Sequence, residues 1–231
     1  MILYELDGKE DFRFSPHVWK VIMTLHHKNL TDTLKIIPVK FSDKSPIEEK
    51  GFNTVPVLVD NDKWIGDSVK IAEYLDNTYP EKPSVFGDET AKNTTLILSK
   101  YIDYNFISGF ARIIVGDIYN HIHPDDKEYF KVTREKMLGA SIEEISKTSD
   151  EKIPSLQKQL EPFRKILIKT PFIAGSKPMF CDYLLFGFFM WARCSSPKTL
   201  LEATDPIREW RERMLDLYDG YARKARGYSN T

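Results

Sequence analysis

A serine followed by a proline, Ser15-Pro16, heads a run in which Val18, Trp19, Ile22, Met23 and Leu25 recur at helical spacing. Serine at an N-cap with proline at the first helical position is the pattern that opens a helix. A hydroxyl there has two compatible uses. Its oxygen can accept from a backbone N–H as a cap, and its hydrogen can donate to an anion brought to the positive end of the helix. Tyr4 is the rival hydroxyl, with buried packing on a central strand as its plainer reading. Asp67-Ser68 heads a second amphipathic run, Val69, Ala72, Leu75 and Tyr79. Free N–H groups at a helix start, with a hydroxyl beside them, make a small anion site; the alternative is that one of the pair only caps the helix. Eleven positions before Asp67, Val55-Pro56 separates a polar loop from an apolar strand. Proline donates no hydrogen bond and is excluded from strand interiors, so this is either a cis bond or a trans proline opening an edge strand.

The elements that must carry these residues follow from periodicity and breakers. A strand over 2–6 leads through an Asp-Gly loop to a helix over 16–28, ending in His26, His27 and Lys28, where positive charge suits the helix dipole. A strand over 34–41 and a polar stretch over 42–53 with a short helix come next. A buried strand over 55–60, a turn at Asn61-Asp62-Lys63 into Trp64-Ile65-Gly66, and a helix over 68–79 complete the first 80 residues. Tyr79-Pro80-Glu81-Lys82-Pro83-Ser84 breaks any helix twice and reads as a linker. Strand signals then almost vanish. Helical patterns over 89–121, 125–139, 149–169, 181–193 and 205–226 predict an all-helical second domain. The expected division is 1–80, a linker over 81–88, and 89–231.

Composition narrows the function. Thirty-three basic residues against 34 acidic ones leave a net charge of −1, so nucleic acid held by bulk electrostatics is not expected. Apolar residues make up 42% and aromatic residues 13%, enough for a proper core. No stretch of about 18 apolar residues predicts a membrane span, and no leader pattern opens the chain, so a cytoplasmic protein without a membrane partner is expected. Cys181 and Cys194 read as buried thiols on neighbouring turns rather than a disulfide frame or metal site. His121-x-His123 with Asp125 and Asp126 lacks a second ligand cluster, so no metal is expected. Arg208, Arg211, Arg213, Arg223, Lys224 and Arg226 alternate with Glu209, Glu212, Asp216 and Asp219, as on a salt-laced surface helix.

The order of elements, with a proline opening the third strand and Asp67-Ser68 starting the next helix, resembles the glutathione-binding domain of glutathione transferases. That architecture is an α/β thioredoxin-like N-terminal domain followed by an all-α C-terminal domain. Phe14-Ser15-Pro16-His17-Val18-Trp19-Lys20, with Leu25-His26-His27-Lys28 and Val55-Pro56-Val57-Leu58-Val59-Asp60, is similar to the etherase-like branch, which includes bacterial lignin β-etherases and related fungal transferases. The likeness is close over residues 1–83 and mainly one of helical layout beyond.

The resemblance implies glutathione as co-substrate. Ser15 would be the catalytic group, donating to the thiolate. Val55, turned outward by a cis Pro56, would pair with the cysteinyl unit, and Asp67 and Ser68 would hold the γ-glutamyl ammonium and carboxylate. Lys40, Lys50 and Asn53 are the candidates for the glycine carboxylate. Phe12, Phe14, Phe106, Phe110 and Tyr119 are candidates for the electrophile pocket, against the plainer reading of an aromatic on an amphipathic helix as core. Thiol-disulfide enzymes of this fold carry cysteine where this chain has Ser15 and Val18, so conjugation is expected over reduction. The resemblance further implies a homodimer, a role in detoxification, and attack of glutathione on aromatic electrophiles, including β-aryl ethers. Non-catalytic storage of phenolic or aromatic ligands, a ligandin role, is the alternative. One departure stands out. Where the family has Gly-x-x-Pro-Ser/Thr-x-Ala-Asp, this chain reads Gly175-Ser176-Lys177-Pro178-Met179-Phe180-Cys181-Asp182, and Met179 lacks the capping hydroxyl.

Overall fold

A computed structural model describes residues 1–229. The last two residues of the expected helical domain, 230 and 231, lie outside the described residues. Four strands, β1 (Ile2–Leu6), β2 (Lys35–Val39), β3 (Val57–Asp60) and β4 (Lys63–Gly66), form one sheet in the order β2-β1-β3-β4. β1 and β2 are parallel, with Leu3 opposite Ile36. β3 runs antiparallel to β1, with Leu3 opposite Leu58, and β4 antiparallel to β3. The parallel pair requires a crossover, and α1 (Pro16–His27) supplies it.

Alternation along β1 sorts its side chains. Leu3 joins Leu58 in the main core beneath α1 and α3 (Ser68–Thr78). Tyr4 points the other way, into a small cluster with Val39, Val57 and Ile47 of α2 (Ser45–Glu48), and stacks on Trp64 at 5.5 Å. This rival hydroxyl is therefore packing on the face opposite α1.

The second half is helical: α4 (Glu89–His121), α5 (Lys127–Leu138), α6 (Ile142–Lys147), α7 (Ile153–Gln159), α8 (Glu161–Leu167), α9 (Phe180–Ser195) and α10 (Pro206–Lys224). The pattern read as one helix over 149–169 is a 3-10 turn followed by α7 and α8, because Pro154 and Pro162 each open a new helix. α6 was not expected, although Ser141 and Glu144 form a capping box at its start. Within α10, residues 217–220 leave helical geometry and Tyr218, Asp219 and Gly220 are left-handed.

α9 is the axis of the molecule. Fourteen of its residues are buried, and it lies between α1 and α4. Cys181 and Cys194 are both on this helix, unbridged and buried, about 20 Å apart along it at 1.5 Å per residue, and so not on neighbouring turns. Burial pushes the Cys194 thiol up to about 12. In place of a capping hydroxyl at Met179, the buried Asp182 carboxylate accepts from the Met179, Ile173 and Ala174 amides at 3.1, 2.7 and 3.3 Å and from Trp210 Nε1 at 2.9 Å. One carboxylate thus caps α9 and joins it to α10. Arg213 and Arg223 form expected surface ion pairs, with Glu209 and with Glu212 and Asp216, but Arg211 is buried rather than on a surface face and Arg226 reaches Glu10 instead. No helix of the described residues is long and apolar enough to cross a membrane.

Candidate functional site

The loop between β1 and α1 ends in Ser15, which takes extended geometry at the N-cap because Pro16 fixes the first helical φ. Its Oγ accepts from the Val18 amide at 3.4 Å, a long cap, and its O–H has no protein acceptor among the described residues. Ser15 borders a cavity of ≈520 Å3 between the α/β part and the helices, shared with Phe14, Asn53, Val55, Pro56, Asp67 and Ser68. The Val55–Pro56 bond is cis, and Val55 precedes the first paired residue of β3. Residues separated by up to 54 positions in sequence, Phe14 to Ser68, therefore converge where α1 and α3 both begin.

The start of α3 differs in one respect from a simple anion site. Asp67, in left-handed geometry at φ 73°, turns its own carboxylate onto the Val69 and Lys70 amides at 2.9 and 3.1 Å. It thus occupies two of the N–H groups an incoming carboxylate would have used, and the donors it leaves on the cavity side are those of Ser68.

On the far wall, α4 contributes Asp103, Ile107, Ala111, Val115 and Ile118, α5 contributes Tyr129, Phe130, Arg134 and Met137, and α9 contributes Trp191. Phe106 and Phe110 do not reach this wall. They occupy the adjacent stripe of α4 and are fully buried, Phe106 against Phe163 at 5.9 Å and Phe110 against Phe188 and Phe189 at 5.6 and 5.5 Å. One residue is about 100° around a helix, so 103, 107, 111 and 115 face the cavity while 102, 106, 110 and 114 face the core, and the drift of about 40° per four residues then brings 118 rather than 119 to the wall. Tyr119 also lies off the wall, under the Lys127 ammonium at 4.8 Å. Phe12 sits at a separate cavity of ≈440 Å3, stacked on His121 at 4.2 Å and covered by Arg226. Lys40 faces Asp125 at 3.4 Å and Lys50 lies over Trp64, both outside the cavity lining; Asn53 alone of the three glycine-carboxylate candidates is on it.

Sequence reasoning missed two cations on the cavity lining, Lys44 of the α/β part and Arg134 of α5. Lys44 donates to the Phe41 carbonyl at 2.7 Å and lies over the Tyr129 ring at 5.0 Å. The Arg134 guanidinium lies over Phe41 and Phe130 at 5.4 and 5.0 Å. Neither has a carboxylate partner among the described residues. His17 follows Ser15 and contacts Lys20 Nζ at 3.2 Å; burial and then the Lys20 ammonium hold its imidazole well below the usual range, so it is neutral at pH 7. No cluster of three or more histidine, cysteine or acidic side chains among the described residues could hold a metal ion.

Residues 11–83 match the glutathione S-transferase N-terminal domain and residues 96–217 the C-terminal domain. This chain belongs to the glutathione S-transferase family. Among curated proteins it is 34% identical to glutathione S-transferase L3 of Arabidopsis thaliana over 102 residues, which is 38% of this chain and 42% of that protein. It is 23% identical to the glutathione S-transferase-like protein ustS of Aspergillus flavus over 137 residues, 54% of this chain and 49% of that protein. The matched stretches thus span less than half of these relatives. The solved structure of glutathione transferase GSTFuA3 from Phanerochaete chrysosporium superposes with a TM-score of 0.76 at 26% identity, over 95% of this chain and 91% of that one. A glutathione S-transferase of Ceriporiopsis subvermispora, solved in complex with glutathione, superposes at 0.82 and 23% identity, over 95% and 96%.

Proposed function

We propose that this chain is a glutathione transferase in which the Ser15 hydroxyl donates to the glutathione thiolate, and that its acceptors are aromatic or other small electrophiles. The observation that carries the reading is the Ser15 O–H, left without a protein acceptor among the described residues at the N-terminus of α1 on the edge of the cavity. Bringing a thiol from about 8.5 to about 6.5 needs ~2.7 kcal/mol. A hydrogen bond to a charged group supplies ~1.5–3 kcal/mol and the helix dipole ~0.3–1 kcal/mol, so this one side chain and its helix suffice. In this reading the Val55 backbone pairs with the cysteinyl unit. Asp67 takes the γ-amino group, and the Ser68 hydroxyl and amide take the adjacent carboxylate. Asn53 takes the glycine carboxylate, with Lys44 on the same lining as a cation without a carboxylate partner among the described residues. The thiolate then attacks the electrophilic carbon: the S–C bond forms, and the bond to the leaving group breaks with its electron pair. For a β-aryl ether, the etherase chemistry implied by the resemblance, that group departs as phenolate and takes a proton from water.

Titrating the thiol of bound glutathione by its ultraviolet absorbance tests the reading. The expected pKa is about 6.5 in the unaltered protein and about 8.5 in Ser15→Ala, with conjugation of an electrophile panel and cleavage of a β-aryl ether falling in parallel. If the alanine variant keeps both turnover and the acid thiol, the reading is wrong.

The apolar far wall, with Ile107, Val115, Ile118, Phe130 and Trp191, supports a second reading in which the cavity stores phenolic or aromatic ligands. Thermal stabilisation by plant phenolics that survives Ser15→Ala while turnover disappears would favour storage. A cytoplasmic homodimer with a detoxifying role is the setting the resemblance implies; light scattering on the purified chain and cell fractionation test its first two parts.

A further inference from the structure

The site as read so far gives no work to Arg134. Its guanidinium is on the helical-domain wall, held over two aromatic rings, and its one hydrogen bond among the described residues is from Nη1 to Thr133 Oγ1 at 3.1 Å. Burial draws its pKa down from the ordinary arginine value, and no carboxylate among the described residues offsets that cost. A guanidinium retains several donors in a planar fork suited to an oxyanion.

The surroundings give this cation a direction. The acidic residues of the lining are already engaged: Asp103 pairs with Lys20 at 2.9 Å, and Asp67 caps α3. The ring beneath Arg134, Phe41, stacks on Phe14 at 6.1 Å, and Phe14 immediately precedes Ser15. An aromatic floor therefore runs from beside the catalytic hydroxyl to the guanidinium.

We propose that Arg134 makes this cavity selective for aromatic acceptors bearing an anionic group, a carboxylate or sulfonate, seated on the guanidinium while the electrophilic carbon faces Ser15. The proposal names the acceptor class of the transferase site and rests on that reading of it. Arg134 reaches the acceptor's anion rather than glutathione, whose own carboxylates are taken up by Ser68, Asn53 and Lys44.

Two measurements test this and keep it apart from the transferase reading. The first compares conjugation of 4-(bromomethyl)benzoate and its methyl ester, each corrected for the uncatalysed rate. The unaltered protein should favour the benzoate in kcat/KM. Arg134→Met should lose about tenfold on the benzoate, equivalent to about 1.4 kcal/mol, and stay within about twofold on the ester and in KM for glutathione; Arg134→Lys should recover part of the benzoate rate. The second needs neither glutathione nor turnover: fluorescence titration with 8-anilino-1-naphthalenesulfonate and with neutral N-phenyl-1-naphthylamine. The sulfonate should bind more tightly, lose about tenfold in Arg134→Met and weaken with salt, while the neutral probe is indifferent to both. Equal losses on both acceptors, a rise in KM for glutathione, or equal affinity for both probes would overturn the assignment of Arg134. Sulfonate selectivity without any conjugation would leave it standing and remove the transferase reading instead.

Discussion

Lys20 Nζ, on the fully buried face of α1, lies 2.9 Å from Asp103 Oδ1 on α4, and the same ammonium sits 4.9 Å from the centre of the Phe188 ring on α9. This contact links the α/β part to two helices of the second half one turn below Ser15.

The two partners are not equivalent, because Lys20 exposes nothing and Asp103 exposes 28% of its side chain. Removing one member of a fully buried pair costs ~3–5 kcal/mol; with Asp103 partly solvated, Asp103→Asn should cost about 2 kcal/mol by stranding the ammonium. Lys20→Met keeps the chain volume and leaves Asp103 in contact with water, so its cost should be smaller, under about 1 kcal/mol. Urea denaturation of the two variants reads the difference. Equal costs would mean that the pair's burial does not govern its energetics.

Gly187 on α9 makes the close approach of α1 possible. A Cβ added there would lie 2.3 Å from the Pro16 carbonyl oxygen and 3.1 Å from Lys20 Cγ, so α1 must move to admit it. Gly187→Ala should cost about 2–3 kcal/mol, and because Pro16 adjoins Ser15, turnover per folded molecule should fall as well. Gly109→Ala on α4 is the control. Its Cβ meets Gln159 and Leu156 at 3.4 and 3.7 Å, ordinary contact, and alanine's helix propensity should leave that variant neutral or about 0.5–1 kcal/mol more stable. Denaturation midpoints and kcat/KM measured well below them check both. A Gly187→Ala protein as stable as the control would refute the packing argument.

What was legible in the sequence was whatever is encoded locally. Ser15-Pro16, Asp67-Ser68 and Val55-Pro56 each announce a helix start or strand opening, and all three prove to border one cavity. The far wall was not legible, because a one-residue rotation on α4 separates cavity from core: Ile107 and Ala111 face the cavity, Phe106 and Phe110 do not, and both ladders are apolar. Arg134 lies in Lys131-Val132-Thr133-Arg134-Glu135-Lys136, which by itself reads as a solvated helix face. Only the docking of α5 against the segment after β2 turns it inward. α6, by contrast, is readable in Ser141-x-x-Glu144 and Gly139, although the apolar run behind that box is short.

Glu5 gives the fold a pH dependence. By strand alternation it shares the inward face of Leu3, and it is 5% exposed. Burial raises its carboxyl to about 7, with Arg13 at 2.9 Å opposing and Asp11 and Asp7 adding to the rise. The folded state therefore holds this proton more tightly than the unfolded chain, whose value is near 4.3. Stability from this group is full below that value, declines as pH rises toward 7 and levels off above it, by about 3–4 kcal/mol in all. Glu5→Gln has no proton to lose. Its stability relative to the unaltered protein should rise from pH 5 to pH 8, as measured by denaturation at fixed ionic strength. A constant difference across that range would contradict a raised carboxyl.

Asp126 sets the geometry of the cavity wall that carries Arg134 and is not hydrogen-bonded to Ser15. Fully buried at the start of α5, its carboxylate accepts from the Phe41 and Ser42 amides at 3.1 and 2.9 Å and from the Ser42 hydroxyl. It thereby fastens the segment after β2, with the Phe41 ring that underlies Arg134, to the helix that carries Arg134. In Asp126→Asn one carboxylate oxygen becomes an NH2 group facing an amide donor, so at least one backbone N–H loses its acceptor, at a cost of about 1.5–3 kcal/mol. Phe41 and Arg134 are then no longer held in register, and KM for aromatic acceptors should rise severalfold. The cap at Ser15 depends on Pro16 and Val18 and shares no hydrogen bond with Asp126, so the thiol of bound glutathione should keep its acidity. Separate KM determinations for acceptor and glutathione, together with the thiol titration, distinguish this from general loosening. A parallel loss of thiol acidity would show that the two ends of the cavity are not independently held.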